Sequence, residues 1–326
     1  MIFSRLRCSL PRLIRVRDLA RILAYLLCAT LGPFPGARLA AAQSSSPAVL
    51  TPQPREVNLM QRSPVRSAVV TVPGGDAGDF FAAHNLEKVL AEDGVTISRS
   101  AGMPDVTVVL LRKNSPSAAK VLAGRNLFFD PVMHDEGYIL VSAPGRITVI
   151  GDTAAGVFYG VQTLKQLVEF DGSACRIWTG TVRDWPAMKY RGVHDDLSRG
   201  PFPSLAFQKH QLEVFAANKV NLYSPYFEHT LQYSGDPLAA PPGSSLTRAD
   251  ARELVVFASH LHIMIVPEQE AFGHLHHVLQ YEKYADVAET PQSLDSAIHC
   301  LSSGPLNAHR SPGSPPELLS VHKSLS

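Results

Sequence analysis

The chain has 326 residues and is close to neutral, with 30 basic against 29 acidic side chains and a net charge of +1. That balance excludes a basic nucleic-acid surface and an acidic partner-binding tail. The length allows two domains with a sizeable core, and the composition is ordinary for a globular protein apart from 25 prolines. At the N-terminus, Arg5, Arg7, Arg12, Arg15, Arg17 and Arg21 precede the apolar stretch ILAYLLCATL, and small residues follow at Ala40 and Ala42. This is the order of a secretory signal, assigned to residues 1–42 with cleavage after Ala42. The apolar stretch is short for a membrane span of about 20 residues. A secreted or periplasmic location is therefore expected, with no stable membrane span after cleavage. Cys8 and Cys28 leave with the signal; Cys175 and Cys300 have no metal-type spacing and read as isolated thiols.

Residues 43–183 mix strand and helix patterns. DFFAAHNLEKVLAEDG places Phe81, Leu86, Val89 and Leu90 on one helical face and ends at Gly94. DVTVVLL, 105–111, is rich in β-formers. EGYILVSAPGRITVIG has two such runs around Ala143-Pro144-Gly145-Arg146 and predicts a hairpin. Asp152 or Thr153 then caps a helix on which Val157, Val161, Leu164 and Val168 recur at three- and four-residue steps. The sum is a small α+β domain. Its one acidic pair, Asp135 and Glu136, reads as a solvated turn before the hairpin.

Pro186 marks a boundary, and residues 184–290 change rhythm. YRGVHDDL is a strand. SLAFQKHQLEVFAANK is a helix with Leu205, Leu212 and Phe215 inward, and VNLYSPYF is a second strand. A proline- and glycine-rich loop leads to a helix capped by Thr247, with Asp250 in the capping-box position and Ala251, Leu254, Ala258 and Leu261 inward. HIMIVPE is a third strand, apolar enough to be buried on both sides. Three strand–helix steps in a row predict a parallel sheet, either a barrel or a doubly wound sheet. Residues 291–326 break the pattern, with nine serines, five prolines and two glycines in 36 positions, and read as a disordered tail.

Acids recur at the ends of the three strands: Asp195 and Asp196, then Glu228, then Glu268 and Glu270. Reactive groups in parallel barrels gather at the C-terminal ends of strands; polar residues also occur wherever a strand leaves a core. His274 and His277 are three apart and, with Glu268 or Glu270, offer nitrogen and oxygen ligands of the kind zinc accepts. GHLHH lacks the H-E-x-x-H spacing, however, and a histidine polarised by a carboxylate such as Glu228 fits better. His276 and His277 read as surface histidines. Arg191 offers a planar fork to a sugar or carboxylate, or a structural ion pair to Asp195, Asp196 or Glu268.

Three segments in consistent order resemble one enzyme family. EGYILVSAPGRITVIGDTAAGVFYGVQTLKQLV resembles the small domain before the barrel in glycoside hydrolase family 20, the β-N-acetylhexosaminidases. DWPAMKYRGVHDDLSRGPFP resembles that family's entry into the barrel, and IVPEQEAFGHLHH its third strand and turn. The resemblance runs from about residue 50 to 290. It implies a small α+β domain followed by an incomplete (β/α)8 barrel of about three β–α units. It implies removal of terminal β-linked N-acetylhexosamine by substrate-assisted retaining catalysis, in which the sugar's acetamido oxygen attacks the anomeric carbon. It gives His274 and Glu228 supporting roles beside the general acid, and Arg191, Asp196, Glu268 and Glu270 sugar-binding positions. It implies a glycan as partner and neither cofactor nor metal.

Departures from the family accompany the likeness. Strand two reads LYSPYFEHTLQY in place of the family's usual His-x-Thr-Asp-Asp, so Glu228 is an approximate match, and the strand also resembles the corresponding one of family 84 enzymes. Gln269 and Glu270 replace Ile-Asp, and Phe272 replaces the turn proline. The adjacent Asp-Glu pair that follows strand four in the family has no counterpart after residue 196. A full barrel takes roughly 200–250 residues, and 142 run from Trp185 to Ser326. The chain is therefore expected to be the front part of such an enzyme, truncated within the barrel and inactive alone. A secreted carbohydrate-binding protein without hydrolysis, using the Arg191 face, and a metal-dependent hydrolase using His274, His277 and Glu270 are the alternatives.

Overall fold

A computed structural model of the chain describes residues 48–288, except 99–102, 171, 173, 237, 241, 242 and 272. The expected signal segment, Cys300, Phe272 and the serine- and proline-rich tail lie outside the described residues. Everything described belongs to one compact unit, Pro47–Ser326. Among the described residues no helix is long and apolar enough to cross a membrane.

The first layer is an eight-stranded mixed sheet. In chain order its strands are β1 (Glu56–Val65), β2 (Ser67–Thr71), β3 (Thr96–Ile97), β4 (Val106–Arg112), β5 (Tyr138–Ala143), β6 (Arg146–Gly151), β7 (Val168–Phe170) and β8 (Cys175–Asp184). They lie side by side as β1-β8-β5-β6-β4-β2-β3, with β7 also on β8. The hairpin forms as the sequence predicts, with β5 and β6 antiparallel and Gly145 at φ +76° in the turn. β4 is central, and its near-continuous apolar run follows from burial on both faces. Val106, Val108 and Leu110 enter the main core, while Val109 and Leu111 enter a second cluster with Ala118 and Ile150. The long strands β1 and β8 escape the sequence reading because charged residues interrupt their alternation.

Three helices cover this sheet. α1 (Ala77–Glu92) starts at a reciprocal capping box between Asp76 and Asp79. α2 (Pro116–Arg125) starts at Ser115 with proline in its first turn. α3 (Ala154–Gln166) starts at Thr153 and is buried along most of its length. Val157, Val161 and Leu164 face the core as their spacing predicts. Val168 falls beyond the helix, in β7.

The second layer is a smaller parallel sheet of β9 (Gly192–Asp196), β10 (Leu222–Phe227), β11 (Met264–Ile265) and β12 (Glu268–Gln269). β10 is central, with β9 on one side and β11 and β12 on the other. α4 (Leu205–Ala217) and α5 (Arg248–His260) connect the strands, capped by Ser204 and Thr247. Leu212, Ala216, Leu254, Ala258 and Leu261 continue the main core across both layers. The expected single third strand is instead two short strands around Val266-Pro267, since proline has no ladder N–H to donate. Nor is it buried on both sides: Met264 is 49% exposed, because this strand is the edge of the sheet among the described residues.

Buried polar groups join the layers. Lys219 sits in the left-handed region at φ +59° between α4 and β10. Its Nζ donates to Asp184 Oδ2 at 2.7 Å and to the Tyr138 hydroxyl at 2.9 Å. Tyr138 in turn donates to Asp184 Oδ2 at 2.9 Å, so the 2.6 Å contact with Thr163 takes its proton from Thr163. Burial holds the lysine below its ordinary value, with the Asp184 charge opposing, and pushes the Tyr138 phenol up.

Candidate functional site

Strand register decides which side chains share the open face of the second sheet. His194 lies opposite Ser224, Asp196 opposite Tyr226, and Tyr226 opposite Glu268. Side chains alternate along a strand, so these five point to one side. Asp195 and Tyr223 point to the other, where Asp195 Oδ2 accepts from the Tyr223 hydroxyl at 3.1 Å and from Gln211 at 3.0 Å. The acidic pair after strand one is thereby split. Asp196 belongs to the open face, whereas Asp195 anchors α4.

Around Tyr226 the C-terminal ends of the strands gather charge. Arg199, from the turn after β9, pairs with Asp196 and reaches Glu228 Oε1 at 3.1 Å, yet its side chain is 55% exposed. Asp196 also accepts from the Ser198 N–H at 2.9 Å, which fixes its rotamer. Glu228 is buried, accepts from the Tyr226 hydroxyl at 3.0 Å and stands 4.0 Å from Nδ1 of His274. His274 occupies the left-handed region at φ +54°, a strained choice for a residue with a Cβ. Gln269 ties the two strand ends by donating to the Glu228 carbonyl at 3.1 Å. Glu270 Oε1 accepts from the N–H groups of Ala271 at 3.1 Å and Gly273 at 2.9 Å. Lower on the same face, Glu268 meets His194 Nε2 at 3.1 Å, both half exposed.

Asp196, Glu228, Glu270 and His274 thus come together around one point, and Glu268 lies beside it on the same face. Arg191 does not join them. It precedes β9, at the opposite end of the strand. Its Nε donates to the Lys219 carbonyl at 2.7 Å and its guanidinium pairs with Glu136 at 2.6 Å. The expected partners Asp195, Asp196 and Glu268 are replaced by Glu136. The solvated-turn reading of Asp135 and Glu136 is therefore corrected for Glu136, whose other oxygen accepts from Asn221 at 2.9 Å. The sequence reading missed Arg199. The signal was present in Asp-Leu-Ser-Arg, where the arginine follows the strand end by three residues and so falls beside the acids.

A second cluster flanks the first. The imidazole of His277 lies 3.9 Å, centre to centre, from those of both His229 and His276. His276 and His277 belong to α6 (His276–Leu279). His277 stays exposed, as its reading as a surface histidine expects, while its ring packs against those of His229 and His276. Among the described residues no three of His, Cys, Asp and Glu converge where a metal ion could be held. His274, His277 and Glu270 are thus not brought into a ligand set. Burial first, and then neighbouring imidazoles, hold His229 and His277 below the ordinary 6.5, while Glu228 pulls the other way. The stability contributed by their neutral forms is complete above that value and is lost as pH falls through the lower, folded-state value. Stability to urea should decline on acidification below about pH 6.5, and His229→Gln should flatten that part of the profile. An unchanged slope in the variant would show that the stack does not titrate with folding.

Residues 48–185 match the family description "Glycosyl hydrolase family 20, domain 2". That stretch is similar to a family 20 domain. The β-hexosaminidase of Porphyromonas gingivalis is 30% identical over 165 residues, covering 44% of this chain and 21% of that protein. A chitooligosaccharidolytic β-N-acetylglucosaminidase of Bombyx mori is 27% identical over 222 residues, covering 63% of this chain and 36% of that protein. A mutant Streptomyces plicatus β-hexosaminidase, solved with its product GlcNAc, superposes with a TM-score of 0.57 at 22% identity. It covers 73% of this chain and 48% of that chain. At that identity the superposition shows the fold alone. The chain spans less than half the length of each of these relatives.

Proposed function

We propose that the open face around Tyr226 is the front part of a sugar site for terminal β-linked N-acetylhexosamine, on an incomplete (β/α)8 barrel of about three β–α units. One observation carries this reading. The Arg199 guanidinium is held by Asp196 and Glu228 but remains 55% exposed at the C-terminal end of parallel strands. A planar cation braced by two carboxylates offers its free N–H donors in a fixed direction, which suits vicinal sugar hydroxyls. Arg199 takes the sugar-binding place that the family resemblance first suggested for Arg191. The relatives support the substrate class, since they include a chitooligosaccharidolytic enzyme and a β-hexosaminidase solved with GlcNAc.

In this proposal the His274–Glu228 pair has a supporting role, and Asp196, Glu268 and Glu270 line the site. Substrate-assisted hydrolysis needs an acid for the leaving oxygen and a carboxylate to orient the acetamido group. The chain offers no adjacent Asp-Glu pair after residue 196 for these tasks. It is therefore expected to bind N-acetylglucosamine without hydrolysing an aryl N-acetylglucosaminide. NMR titration with N-acetylglucosamine tests the first point, and Arg199→Ala should weaken binding by about tenfold or more, the loss of a charge-assisted contact. Absence of binding by the folded wild-type chain would overturn the sugar site. Clear turnover would overturn the expectation of inactivity.

A further inference from the structure

Tyr226 is buried at the centre of the cluster. Its hydroxyl donates to Glu228 Oε1 at 3.0 Å and stands 3.4 Å from Glu270 Oε2. Its ring lies 6.0 Å from the Arg199 guanidinium and 6.0 Å from the His194 ring. Burial, and then the hydrogen bond and charge of Glu228 and the charge of Glu270, push the phenol well above its ordinary value. Tyr226 therefore stays protonated and remains a donor across the working pH range.

One phenolic proton faces two carboxylates. It is shared between them as a three-centre bond, with the shorter contact, to Glu228, the stronger. The second carboxylate is fixed from its other side, because Glu270 Oε1 accepts two backbone N–H groups of the turn that leads to His274. That turn has a further need of support, since it ends in a histidine at positive φ. Two like charges held this close to a single hydroxyl also require the Arg199 cation, which pairs with Glu228 directly.

We propose that Tyr226 is a positioning residue of the sugar site, whose hydroxyl sets Glu228 for His274 and Arg199 and ties Glu270, which holds the Ala271 and Gly273 amides, to β10. Its effect on sugar binding rests on the proposed function above; its effect on the turn does not. Tyr226→Phe in the full chain keeps the ring and its contacts and removes only the hydroxyl.

Hydrogen exchange followed by NMR is the deciding measurement. The Ala271 and Gly273 amides should exchange about tenfold faster in Tyr226→Phe, while the Val266 and Met264 amides, bonded to β10 and Asn221, keep their rates. N-acetylglucosamine binding should weaken. Unchanged exchange at Ala271 and Gly273 in the folded variant overturns the proposal. Should Tyr226→Phe not fold, Tyr226→Met tests the same tie, since it too fills the site without a hydroxyl while leaving Glu270 and its two amide donors in place. Faster exchange at those two amides supports it, and unchanged exchange rejects it. If the turn loosens while the wild type binds no sugar, the sugar site falls and the positioning role stands. If the wild type binds and the variant binds equally with an unchanged turn, the converse holds.

Discussion

Lys219→Met is expected to lower the unfolding free energy of the chain by roughly 3–5 kcal/mol, the usual cost of removing one partner from a buried ion pair. Lys219 is 8% exposed in its side chain and Asp184 12%, so neither charge has water to fall back on. Without the ammonium, Asp184 keeps the Tyr138 hydroxyl at 2.9 Å and the Arg55 N–H at 3.2 Å but no countercharge. The lysine contributes less than its contacts suggest. Its folded-state value lies below 10.5, so at neutral pH the full cost of burying the ammonium is already present. Lys219→Met combined with Asp184→Asn removes both charges and should recover most of the loss. Urea unfolding of the full chain measures both variants. A loss below about 1 kcal/mol for the single change would mean that the pair behaves as a surface pair. The pair joins the end of β8 to the residue that leads into β10, so the small domain and the parallel sheet should unfold in one transition.

The sequence makes the local elements of both layers legible and hides what depends on distant partners. Helix caps at Thr153 and Thr247 are read from a residue and its near neighbours, and both cap as expected. The hairpin at Gly145 is equally local. The acids at three strand ends are legible because parallel strands in sequence order bring their C-terminal ends together. What a linear reading cannot supply is direction. Asp195 and Asp196 look equivalent until the register with Tyr223 and Tyr226 sends them to opposite faces. Arg191 and Arg199 look equivalent until the strand between them places one at each end. Glu136 looks solvated because its partners, Arg191 and Asn221, lie 55 and 85 residues away in sequence. The third strand looks buried because its residues are apolar, yet the described residues leave it at an edge.

Gly180→Ala should be the most damaging conservative change in the first sheet. Gly180 lies on β8 at φ +141°, a backbone shape that residues with a Cβ rarely adopt. It pairs with Leu59 of β1 on one side and with Ser142 of β5 on the other. An added Cβ would stand 2.1 Å from the carbonyl oxygen of Asn58 and 2.8 Å from the Cα of Leu59. Both are main-chain atoms, so no rotamer change can relieve the contact; β1 itself would have to move. The strained φ and the overpacking each cost about 1–3 kcal/mol. β1 is the edge of the sheet and already shifts register between Leu59 and Arg62, so it is the strand that gives way. Amide exchange should therefore rise along Glu56–Val65 before it rises in β5. Gly124→Ala provides the control. Gly124 lies in α2 with nothing within 4 Å of its added Cβ, and alanine there should stabilise by up to about 1 kcal/mol through helix propensity. Urea unfolding of the two variants should therefore give opposite signs. If Gly180→Ala unfolds within about 0.5 kcal/mol of the wild type, β1 does not approach β8 as closely in solution as this register requires.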